Sequence, residues 1–190
     1  MINQAVYSFS VWLDSLESST LLHESFYMYN WIESTHVLFL MVSLGMLFLI
    51  DLRMLGYAFP NVPASKVAEK LSMPMFFGFA VMIITGLMLF YAIPVRSGQS
   101  LWLRIKVVLL IAAAVNALLF HWRMKRSISS WDTDAKAPIG LRLGAVLSII
   151  FWVLIVICGR LIAYDWFDCA HGQSGLAGVL AGCIDGQAQF

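Results

Sequence analysis

Four apolar runs of about twenty residues each leave this chain little choice of architecture. They cover residues 31–50, 73–95, 103–122 and 143–163. Each is long enough to cross a hydrocarbon core about 30 Å thick. Inside a bilayer no water satisfies exposed N–H and C=O groups, so an isolated apolar run crosses as a helix. Charged residues make up 12% of the chain, against about 25% in soluble domains. They gather between the runs rather than inside them. The expected fold is all-α: a polytopic membrane protein with four transmembrane helices in an up-down bundle over residues 31–164. Residues 1–30 are expected to form an N-terminal interfacial segment, and residues 165–190 a C-terminal tail. The connections are too short for a second domain.

Basic residues set the expected orientation. The 51–72 and 121–142 loops hold Arg53, Lys66, Lys70, Arg123, Lys125, Arg126, Lys136 and Arg142; the opposite side holds Arg96, Arg104, Lys106 and Arg160. The positive-inside rule then places both termini outside, which in a bacterial inner membrane is the periplasm. Residues 1–30 contain no Lys or Arg but include Asp14, Glu17 and Glu24, unlike a cleavable signal. Within them Val6, Phe9, Trp12, Leu13 and Leu16 recur at helical spacing. That predicts an amphipathic helix, either lying in the outer interface or docked on the mouth of the bundle. The tail is rich in Gly, Ala and Gln. Its Gly178-xxx-Gly182 spacing permits close helix packing, although a loose extension is the simpler expectation.

Several functions are excluded by composition and spacing. A net charge of +1 with no dense basic tract gives no basis for binding nucleic acid. Cys169 and His171 lack the C-x-x-C-H spacing of covalent c-type haem, and no Cys/His grouping has zinc or iron–sulfur spacing. Cys158 lies in the fourth span, where a thiol serves as a small apolar filler. Cys169 and Cys183 fall in the tail on the oxidising side, so a disulfide and two free thiols are equally consistent with the sequence.

The chemistry-bearing residues sort by depth. Near the outer face stand Glu33, His36, Lys106 and Arg160, with Tyr91; near the inner face stand Asp51, Arg53, His121, Arg123 and Arg142. An ionisable side chain at membrane depth marks a candidate site. Glu33 and His36 are three residues apart, so the carboxylate is placed to orient the imidazole. Arg53, Arg96, Arg104 and Arg123 are expected to snorkel to the headgroups. The first and third spans run in parallel, so His36 and His121 differ in depth by roughly 20 Å at 1.5 Å rise per residue. One haem iron needs both axial ligands at a single plane, so the two rings are poor partners for one haem. Each is instead a candidate metal or cofactor ligand of a separate layer.

Residues recurring along most of the chain resemble an uncharacterised family of bacterial four-helix inner-membrane proteins, known only as a domain of unknown function. The matching elements are Trp12-Leu13-Asp14, Glu33-x-x-His36, Asp51-Leu52-Arg53-x-Leu55-Gly56, Pro74 and Thr85-Gly86 followed by Leu89-Phe90. They continue through Lys106, Asn116, Phe120-His121, Trp131, Arg142, Ser148, Trp152 and Gly159-Arg160-Leu161-Ile162-Ala163-Tyr164. Asn30 stands where the family tends to have Pro, and the tail beyond residue 165 is longer than usual. The resemblance implies the four-helix fold and no activity.

Two functional readings follow. In one, the protein is an electron-transfer membrane subunit that binds haem b or a quinone around His36, with Glu33, Lys106 and Arg160 beside it and His121 at a second site. In the other, it is a non-catalytic anchor or scaffold for other membrane or periplasmic subunits, and the polar layers fix helix register. Solute transport is disfavoured, because the sequence shows neither an inverted repeat nor a pair of broken helices.

Overall fold

The computed structural model describes residues 2–164, Cys169 and residues 175–183, and among these the chain is all-α with no strand. Two short helices, α1 (Ile2–Asp14) and α2 (Glu17–Glu24), precede α3 (Met28–Leu55). Then come α4 (Ala64–Ala92), α5 (Pro94–Gly98), α6 (Leu101–Ser127), a 3-10 turn (Ile128–Ser130), α7 (Ile139–Ala163) and α8 (Gly175–Ala181). Helices α3, α4, α6 and α7 are long and apolar enough to cross a membrane.

The long helices overrun the apolar runs, most of all at the start of α4, which begins at Ala64 rather than near residue 73. Hydropathy marks only the part immersed in hydrocarbon, whereas backbone hydrogen bonding continues through the headgroup region. The 28 residues of α3 extend about 42 Å at 1.5 Å each, enough for core and interfaces together. The second span ends earlier than its apolar run: α4 stops at Ala92, and Pro94 begins α5 at its first turn. A proline at that position needs no intrahelical N–H bond. Pro74, by contrast, lies inside α4.

The chain divides into two compact units, and each long helix contributes to both. The first unit comprises Met1–His36, Ile83–Val108 and Ile155–Phe190. Its centre is the 92–100 connection, where Pro94, Val95, Ser97, Gly98, Gln99 and Ser100 are buried. Helix α1 packs on α5, with Ser10 wholly buried against Gly98. Ser19 of α2 donates to the Tyr91 carbonyl at 2.6 Å. The N-terminal segment is two helices, each in contact with the 91–98 stretch. Phe9 (52% exposed) and Trp12 (57%) of the expected apolar stripe remain on the outside.

The described part of the tail carries structure of its own. Residues 175–181 form α8, with Gly178 and Ala181 buried. Cys169 and Cys183 are joined in a disulfide. Arg104, expected to snorkel, donates to Asn3 Oδ1 at 2.8 Å and lies against Gly182, while Asn3 reaches the Val179 carbonyl. A gap of more than seventy residues separates these partners in sequence, so local spacing carries no trace of them.

The second unit comprises Val37–Met82 and Leu109–Leu154. Ile50, Met54, Val67, Met75, Trp131, Leu141 and Ala145 form its apolar core, drawn from α3, α4, α7 and the 131–137 loop. Arg53 is its least expected member: its side chain is wholly buried. Its Nε donates to Val62 O at 2.8 Å and its Nη2 to Asp134 O at 2.9 Å, with longer contacts to Ala135 O and Asp132 O. Snorkelling is thus overturned here, because two loops fold back and present carbonyls to the guanidinium. Gly56, at φ +83°, lets Ala135 and Lys136 approach the turn closely. Asp132 completes the cap by accepting from the Ser65 amide (2.7 Å) and hydroxyl (2.6 Å).

Candidate functional site

His36 lies on α3 and is half-buried. Its Nδ1 and the Thr85 hydroxyl are 2.9 Å apart, and Thr85 is itself buried on α4. One residue on, Gly86 closes against the same ring: a Cβ there would stand 3.3 Å from His36 Cε1. The Thr-Gly pair therefore seats the imidazole twice over, through a hydrogen bond and through close backbone approach. A histidine whose one nitrogen is engaged by a neighbour has a fixed ring plane and a defined role for the other nitrogen.

Glu33, expected to orient this ring, is exposed on α3 and lies within electrostatic range of Tyr29, one turn away. Arg96 is also within range of Tyr29. The hydrogen-bonding residue from the neighbouring helix is Thr85 instead. Its signal was present in the sequence as a polar interruption of the second apolar run, next to a glycine, but spacing alone does not pair it with His36.

Lys106 of α6 is half-buried and lies against α7, its Nζ 3.4 Å from where a Cβ on Gly159 would stand. It interacts electrostatically with the buried Cys158 thiol, whose presence beside a lysine the sequence did not announce. Arg160, one residue after Gly159, is exposed; its Nη2 donates to Tyr164 Oη at 2.9 Å, and its guanidinium sits over the Tyr164 ring. Glu33, His36, Lys106 and Arg160 all belong to the first unit. His36 is held between α3 and α4, Lys106 between α6 and α7, and Arg160 faces outward on α7.

His121 belongs to the second unit and is exposed near the end of α6. That unit also holds Asp51, buried on α3, which accepts from the Ser148 hydroxyl of α7. Asn116 of α6 donates to the Gly144 carbonyl of α7 at 2.9 Å. These bonds cross between helices, as polar groups in an apolar bundle require. Among the described residues no three His, Cys, Asp or Glu side chains are grouped as metal ligands. His171 lies outside the described residues.

Neither the curated proteins nor the solved structures include a match to the chain. A family model does match, over residues 24–165, which takes in all four long helices with Glu33, His36, Lys106, His121 and Arg160. The chain belongs to that family, described as a family of unknown function (DUF6644).

Proposed function

We propose that the protein is an integral membrane subunit of an electron-transfer system and that its first unit binds a quinone headgroup at His36. The observation that carries this reading is the His36 imidazole, seated by Thr85 and Gly86 between helices long and apolar enough to cross a membrane. Holding an imidazole so firmly at membrane depth has a cost that a purely apolar contact avoids, and a hydrogen-bonding ligand accounts for it. His36 would hydrogen-bond one quinone carbonyl oxygen, and Lys106 and Arg160, in the same unit, would add positive potential that favours electron entry. A bound quinone would supply two-electron, two-proton chemistry, with electrons delivered by an associated redox subunit and protons taken from water at the membrane surface. Haem b, which His36 would help to hold, is the alternative occupant. The quinone is preferred because an imidazole seated by a hydroxyl is a hydrogen-bonding group suited to a carbonyl oxygen.

The membrane in this proposal is the bacterial inner membrane, with both termini periplasmic. Eight basic residues in the 51–72 and 121–142 loops against four elsewhere support the orientation. The Cys169–Cys183 disulfide supports an oxidising compartment for the tail. One observation favours the scaffold reading instead: Arg53 and Arg104 are tied into loop and terminal contacts, which shows that some cations here brace the fold.

The test is solvent extraction of the purified protein, with chromatography for quinone and oxidised-minus-reduced spectra for haem. Near-stoichiometric quinone that is lost in His36→Ala and kept in His121→Ala supports the proposal. Soret and α bands that vanish in His36→Ala assign haem b instead. Neither quinone nor haem in protein that remains folded removes the redox reading and leaves the scaffold.

A further inference from the structure

The second unit carries a groove of about 280 Å³ where α6 ends and α7 begins. Trp122, Arg123, Arg126 and Ser127 line it from α6, and Pro138, Gly140 and Leu141 from the first turn of α7. The Arg126 guanidinium stacks over the Trp122 ring, 3.9 Å from its centroid. Gly140 leaves the wall open, since a Cβ there would meet no atom within 4 Å.

We infer that this groove binds an anionic phospholipid, with Arg123, Arg126 and the start of α7 holding the phosphate and Trp122 and Leu141 lining the acyl chains. The charge is complementary. The 121–142 segment contains five Lys and Arg against two Asp (Asp132 and Asp134), and Asp132 is engaged by Ser65. At the first turn of this 25-residue helix the Pro138 carbonyl takes up the Leu141 and Arg142 amides, and the positive end of the helix dipole adds to the field of the arginines. The lining, apolar over nearly all of its exposed surface, identifies a lipid rather than a soluble anion. Leu141 is buried, Trp122 is half exposed at the end of a spanning helix, and the exposed flanks of the same two helices are apolar at Leu118, Leu119, Leu143 and Leu147. A headgroup at the arginines would thus have its chains continue along surfaces already suited to lipid. Basic grooves between membrane helices near the headgroup level are a recurrent form of anionic-lipid site. The inference does not depend on the occupant of the His36 site.

The test measures phosphatidylglycerol and phosphatidylcholine binding to the full-length protein in detergent by native mass spectrometry. Phosphatidylglycerol should bind in preference. Each cation near an anionic headgroup contributes ~1 kcal/mol, so Arg123→Gln/Arg126→Gln should weaken it about thirty-fold. Gly140→Leu fills the groove without changing charge and should weaken it about tenfold, a loss that only a built site predicts. Lys66→Gln/Lys70→Gln removes the same charge from exposed positions of α4 outside the groove, and should change binding less than about threefold. The inference is overturned by equal affinity for the two lipids, by equal losses in the two charge variants, or by unaltered binding in Gly140→Leu. Competition by millimolar inorganic phosphate as effective as that by added lipid would also overturn it, in favour of a free-anion site.

Discussion

Replacing Arg53 with methionine keeps an unbranched stem in the core of the second unit and removes every donor. Two of the guanidinium's bonds are short, to Val62 O at 2.8 Å and Asp134 O at 2.9 Å; two are long, at 3.4 Å. A hydrogen bond to a charged group is worth about 1.5–3 kcal/mol net. The short pair therefore amounts to ~3–6 kcal/mol, and the long pair adds little at that distance. Against this, Met avoids the desolvation of a buried cation, which brings the expected loss to the lower end, about 3 kcal/mol. Arg53→Lys should fall between the two, since one ammonium cannot fork to both loops. Reversible unfolding in mixed micelles reads the total. Hydrogen exchange reads the location: the amides of Ala137, bonded to Met54 O, and of Ala64, bonded to Asp132 O, should lose protection first. A change under about 0.5 kcal/mol, with both amides as protected as before, would refute the view that Arg53 is what holds the two loops together.

Thr85→Val is nearly isosteric and should cost only ~0.6 kcal/mol of stability, the average for a hydrogen bond between membrane helices. Yet it should lower quinone occupancy as His36→Ala does; retained occupancy would show that the hydroxyl does not position the ring. Gly86→Ala should act in the same direction, because the new methyl stands 3.3 Å from His36 Cε1 and the ring must yield by a few tenths of an ångström. The Asp132 carboxyl feels some desolvation, but hydrogen bonds from Ser65 and Ala64 and the charge of Arg53 outweigh it and hold the group below its usual range. With the native value depressed, its contribution is complete above the unfolded value near 4 and is lost as pH falls through the native one. Acid should therefore raise exchange at Ser65 in the wild type, and Ser65→Ala should flatten that response. Reducing the Cys169–Cys183 bond opens a 14-residue separation, a constraint worth ~3 kcal/mol by loop entropy. Exchange at the Gly182 and Cys183 amides, both bonded to Gly178 O, should rise while Ala137 in the second unit is unaffected.

The four spanning helices were legible because the bilayer imposes a one-dimensional rule: an apolar run of sufficient length must form its own hydrogen bonds. The ends were less legible. Charged and small polar residues beyond each run gave no reason for α4 to begin at Ala64, where a Pro63 carbonyl accepts the Lys66 amide and the Ala64 amide finds Asp132 O. His36 was legible as a candidate because an imbedded imidazole is uncommon, but its neighbour was not. The sequence offered Glu33, three residues away, while Thr85 was 49 residues distant.

Sequence alone determined the helical class, the number of spans and which side chains could do chemistry. Each of these follows from what hydrocarbon excludes, and exclusion acts residue by residue. Tertiary structure decided which polar groups satisfy one another. Arg53 and Arg104 share the sequence appearance of snorkelling arginines, and both prove to be internal ties, one to the 57–63 and 131–137 loops and one to α1 and to Gly182, just past α8. A buried donor takes the acceptor that arrives within about 3 Å. That meeting is set by how loops and termini return across the chain, which no local pattern records.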